Sequence, residues 1–166
     1  MSYADKQRIK CQRVFQSISF VSLGLIFTVI IIGAFLSARG QGLSCSAWPL
    51  CPDSFSLSPE GEYFTEYIHR IIAVITAVSV YVTACYAIKR FIKARITATA
   101  TAVVVSVQIA IGMLVVFSEL HPIIVAIHTG IGVLSLALAL LTFILSYPIF
   151  TGHHVSNRTS SESELN

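Results

Sequence analysis

The chain has 166 residues, of which 55% are hydrophobic and only 11% charged, with a mean hydropathy of +0.79. A soluble domain carries about 25% charged residues, so this composition excludes an ordinary soluble protein. The net charge of +3 is no sign of nucleic-acid binding, because the basic residues are segregated at the ends of apolar runs, the arrangement of a protein in a lipid bilayer.

The first apolar run covers residues 15–37 and follows Lys6, Arg8, Lys10 and Arg13. Its apolar core of about 20 residues is long for a signal peptide, and Leu36 spoils a small-x-small cleavage site at Ala38. It is therefore read as a transmembrane helix. Residues 38–62 make the only long connection, rich in Gly, Ser and Pro. The second run covers 63–88, the short basic link Lys89, Arg90, Lys93 and Arg95 follows, and the third covers 96–117. The turn "SELHP" (118–122) introduces the fourth run, 122–150, with Pro122 suited to a first helical turn. The tail 151–166 is polar and aperiodic, and is expected to be disordered.

Each run is long enough for the ~30 Å hydrocarbon layer, which needs about 20 residues. Positive residues mark the cytoplasmic side, so four spans with both termini cytoplasmic are expected, in a multi-pass protein of the cell membrane. The connection 38–62 would then face outward. Short links imply an antiparallel up-down bundle, an all-α membrane domain over 1–150 in which the second and fourth spans run in the same direction. No internal repeat is evident.

The stretch "TEYIHRIIAV" (65–74) places three ionisable groups where an oily segment begins. Intramembrane ionisable groups are functional candidates by default. His69 lies six residues into the second span and His128 six residues into the fourth, so both sit about 9 Å below the outer boundary. Two imidazoles at one depth on co-directional helices can supply both axial ligands of a haem iron. Zinc is a weaker alternative, since no third or fourth ligand stands at that level. Gly130 and Gly132 leave room beside His128 for a flat macrocycle, and Arg70 and Arg39 are placed to pair with propionates. Glu66 shares a helical face with His69. It could orient the imidazole or move protons, or simply complement the helix N-terminus.

The loop "GQGLSCSAWPLCPDSF" carries Cys45 and Cys51 on the oxidising side, where a disulfide can form and serve a structural or a redox role. Trp48 suits an interfacial anchor. Cys11 and Cys85 have no evident partner. Gln108, one turn before Gly112, is expected mainly to pack, a hydrogen bond across the bundle or an approach to the haem being the alternative; His121, His153 and His154 read as surface residues.

Three motifs, "GLSCSAWPLC", "EYIHR" and "QIAIGMLVVFSELHPIIVAIH", in this order and topology, resemble the haem A synthase family over about residues 15–148. The resemblance implies oxidation of the C8 methyl of haem O, through a hydroxymethyl stage, to the formyl of haem A for haem–copper oxidases. By motif it makes His69 and His128 axial ligands of a haem (haem b, O or A), Glu66 a catalytic carboxylate, and Cys45 with Cys51 an outer disulfide, redox-linked or structural. Usual members have eight spans in two similar halves, and this chain matches the half with Glu-x-x-His and the cysteine loop. A homo-oligomer is therefore expected to restore the missing half, with haem O synthase or the terminal oxidase as further partners. Two other classes remain: a bis-histidine b-type electron carrier, needing the histidines but neither Glu66 nor the cysteines, and an assembly subunit that converts no haem.

Overall fold

The computed structural model describes residues 2–43 and 64–147. They form four helices and no strand: α1 (Tyr3–Arg39), α2 (Phe64–Arg90), α3 (Ile92–Phe117) and α4 (Pro122–Leu145). All four are long and apolar enough to cross a membrane. Cys45, Cys51, Trp48, His153 and His154 lie outside the described residues, as do the connection 44–63 and the tail.

The helices pack in chain order around a square. α1 touches α2 and α4, and α3 touches the same two, leaving α1/α3 and α2/α4 as the diagonals. This is the antiparallel up-down bundle that short links dictate. Three boundaries differ from expectation, the simplest being that α4 ends at Leu145 rather than near residue 150. α1 begins at Tyr3 rather than near residue 15, because a continuous helix carries the basic segment beyond the apolar run. At about 1.5 Å per residue, its 37 residues exceed the bilayer core. The link between the second and third spans is also nearly absent, since Phe91 alone is non-helical. Its N–H donates to the Ala87 carbonyl at 2.8 Å, and its ring stacks on fully buried Phe15 with centroids 4.2 Å apart. That stack, with Tyr86, closes this end of the bundle and turns the chain in a single residue.

The other end turns under strain. Glu119 and Leu120 adopt φ of 53° and 61°, a region that costs a non-glycine residue about 1 kcal/mol or more. Leu120 lies so close to Gly42 that a Cβ there would come within 2.9 Å of it. Pro122 takes the first helical turn, as its fixed φ and missing N–H favour.

The buried positions reveal a repeat that residue identities conceal. A shift of 79 places Gly33 on Gly112 and carries buried Phe15, Ser19, Ser22 and Ile26 onto buried Ala94, Ala98, Thr101 and Val105. A shift of 59 places His69 on His128 and carries buried Val80 and Thr83 onto buried Ala139 and Thr142. The hairpins α1–α2 and α3–α4 are thus equivalent about an approximate two-fold axis along the bundle. Spacings of four and three residues between the buried positions give the seam of a left-handed bundle. Its residues are mostly small, which lets helices approach closely where lipid removes the hydrophobic drive. Hydroxyls bridge the seam: Ser22 bonds Ser79 and Thr83, and Thr142 bonds Thr97, all within 2.9 Å.

Candidate functional site

His69 is the sixth residue of α2 and His128 the seventh of α4. The two therefore project from diagonal helices at one level, as their sequence depth implies. Each ring is housed by a glycine on the neighbouring helix. A Cβ on Gly33 of α1 would stand 3.0 Å from His69 Cε1, and one on Gly112 of α3 would stand 3.2 Å from His128 Cε1. These two glycines are mates under the two-fold, and only glycine lets an imidazole lie this close to a helix backbone.

The glycines named from sequence have other places. Gly132 makes room for the Gln108 amide, and nothing approaches Gly130. Gln108, expected mainly to pack, instead takes the alternative of a hydrogen bond across the bundle and reaches the site. Its Nε2 donates to the His128 carbonyl at 2.9 Å and lies 3.3 Å from His128 Nε2. Gly33 escaped notice because glycine is common in transmembrane helices. The signal that could have found it is its place beside a histidine in one hairpin, matched by Gly112 and His128 in the other.

Glu66 is buried, 4% exposed, and forms an ion pair with Arg70 one turn further along α2. Such a pair is retained away from water only when both partners are hydrogen-bonded. It stands one turn from His69, so a carboxylate and a guanidinium border one side of the imidazole pair. Their two-fold mates on α4 are Val125 and Thr129, so the polar border is one-sided. Arg39 is exposed in the last turn of α1, its guanidinium 5.0 Å above the Phe35 ring, and the structure does not bring it to the imidazoles. His121 is exposed at the N-terminal boundary of α4. Cys11 contacts Arg90 at the opposite end of the bundle, and Cys85 is exposed.

The imidazoles fit a haem. Nδ1 of both rings and Oε1 of Gln108 are buried without a hydrogen-bonding partner, which buried polar groups rarely tolerate. Neutral imidazole nitrogens from two helices of a bundle are the donor set iron takes in bis-histidine sites. No group of three or more His, Cys, Asp or Glu able to hold a metal ion occurs among the described residues, so a zinc site of protein ligands finds no support there. A small cavity lined by Ser19, Ser22, Thr83, Thr101 and Thr142 lies three to four turns from the histidines and takes no part in this site.

The family model COX15-CtaA, described as cytochrome oxidase assembly protein, matches residues 58–162. Three curated relatives, each named heme A synthase, align with most of the chain. The protein of an Exiguobacterium species is 29% identical over 84% of this chain and 48% of its own length. That of Alkalihalophilus pseudofirmus is 29% identical over 93% and 52%, and that of Halalkalibacterium halodurans is 31% identical over 78% and 45%. The chain thus spans about half the length of the curated relatives it matches. No solved structure matches it.

Proposed function

Since the chain belongs to the COX15-CtaA family of cytochrome oxidase assembly proteins, we propose that it acts in haem A biosynthesis, as a haem A synthase oxidising the C8 methyl of haem O through a hydroxymethyl stage to the formyl. One observation carries this reading. Two imidazoles with orphaned nitrogens project at one level from diagonal helices, each against a glycine, beside a buried carboxylate–guanidinium pair.

In this reading His69 and His128 hold the iron of a haem, and when bound that group supplies the oxidising power an unactivated ring methyl demands. The chain's own residues bind, orient and exclude water. Gly33 and Gly112 fix the imidazoles against α1 and α3, so neither ring needs to be ordered on binding. Arg70 offers a planar, permanently charged fork to a carboxylate such as a propionate. Glu66 is the one buried carboxylate near the imidazoles among the described residues. It is suited to accept and pass on the protons released as carbon is oxidised. Burial of the ion pair keeps bulk water from that carboxylate.

The orientation and the assembly belong to the same proposal. The basic residues put both termini in the cytoplasm and the Cys45–Cys51 loop outside. The chain aligns with about half the length of its relatives, and a homo-oligomer would set two such four-helix units side by side. The chain is to be expressed in a host that makes haem O but no haem A, and the extracted haems separated. Haem A or its hydroxymethyl precursor is expected, and Glu66→Gln should keep bound haem while losing both products. Bound haem with no product from the unaltered chain would make it an electron carrier, and no bound haem at all would remove the site.

A further inference from the structure

The two-fold frame holds the imidazoles equivalently, but the groups behind them differ. The shift that carries Gly33 to Gly112 carries Val29 to Gln108. At His128 the Gln108 amide covers the ring. Its donation to the His128 carbonyl at 2.9 Å fixes which end of the amide is nitrogen. The 3.3 Å contact to Nε2 therefore sets an N–H donor against that ring nitrogen. A donor there bonds only a bare lone pair, which puts the ring proton on Nδ1, the unpartnered nitrogen open to a metal ion, so amide and metal compete for the one lone pair of a neutral ring. At His69 the corresponding residue has no polar side chain. The hydrogen-bonding group that Val29 offers that ring is its backbone carbonyl, an acceptor. Acceptors behind a ligating imidazole strengthen it as a ligand by drawing on its N–H.

From this difference we infer that Gln108 is a positioning residue that makes the histidines unequal, its amide competing with iron for the His128 lone pair, so that His128 is the more readily displaced axial ligand. The inference rests on the haem site proposed above. The amide would hold the His128 ring when it is not bound to a metal, whereas Val29, which corresponds to Gln108 beside His69, carries no such donor. An open position on the His128 face is where a small diatomic molecule enters.

Carbon monoxide reads this directly, because it binds ferrous haem only in place of an axial ligand. The unaltered protein is loaded with haem and its low-spin bis-histidine spectrum established first. Absence of that spectrum would refute the haem site itself, separately from the present point. Carbon monoxide association is then compared with Gln108→Leu and Gln108→Met. Loss of one competing hydrogen bond should slow association about fivefold in both variants. Val29→Gln, which sets an amide behind His69, should speed it. Unchanged or faster association in the Gln108 variants would show that the amide merely props the ring, and overturn the proposal. So would failure of both variants to bind haem that the unaltered protein binds. Coupling to His128 is checked in a double-variant cycle: in a His128→Ala background, Gln108→Leu should leave association unchanged.

Discussion

Replacing Gly33 with alanine tests the site's construction without touching a ligand. In a helix interior, alanine is favoured over glycine by about 1 kcal/mol through backbone entropy. At Gly24, where a Cβ would meet nothing within 4 Å, that gain stands alone, and Gly24→Ala should stabilise by about 1 kcal/mol. At Gly33 the added carbon would lie 3.0 Å from His69 Cε1, so the ring must give way by some tenths of an ångström in a tightly filled space. Overpacking of this kind costs about 1–3 kcal/mol, which exceeds the entropic gain. The two variants should therefore differ by roughly 2 kcal/mol, or about 6 °C in melting temperature for a chain of this size. Gly112→Ala, with its nearest contact at 3.2 Å, should follow Gly33→Ala by a smaller amount, and Gly130→Ala should follow Gly24→Ala. Thermal melts of purified, detergent-solubilised protein followed by circular dichroism make the comparison. If Gly33→Ala melts with or above Gly24→Ala, His69 is not seated against α1 and the reasoning fails. Loss at Gly33 with a gain at Gly112 would refute the two-fold frame alone.

Phe15 is fully buried in the stack with Tyr86 and Phe91, so Phe15→Ala should cost about 3–5 kcal/mol, read in the same melts. Glu119→Gly should raise the melting temperature by 2–4 °C, since it relieves about 1 kcal/mol of left-handed strain at an exposed position. Arg70→Met removes the guanidinium from a buried pair and should cost about 3–5 kcal/mol, whereas Arg39→Met, losing an exposed cation–ring contact, should cost about 1 kcal/mol or less. A double-variant cycle on Ser22→Ala and Thr83→Val should return about 0.6 kcal/mol, the usual worth of a hydroxyl bond between membrane helices.

Hydropathy made the four helices and their order legible, because the bilayer permits little else for long apolar runs. Helix ends were less so. Phe91 reads as part of a link in sequence, and only its stacking on Phe15 shows that one residue suffices for the turn. The histidines were legible as a pair because depth along a helix is simple arithmetic. Their glycine seats were not, since Gly33 and His69 stand on different helices and meet only once α1 and α2 pack. The repeat escaped for a related reason: packing repeats the buried positions and not the residues that fill them, so Phe15 answers to Ala94 and Ile26 to Val105 without any shared letter. Gln108 looked like a packing residue because nothing in the sequence shows which way an amide on one helix faces another.

The pairing of hairpins carries one more consequence. Half a turn about the long axis exchanges His69 with His128 and Gly33 with Gly112, so a flat guest meets the same walls whichever way round it is inserted. Three side chains, Glu66, Arg70 and Gln108, have no counterpart in the other half, so in the proposed site they would set which rim of the guest faces the carboxylate.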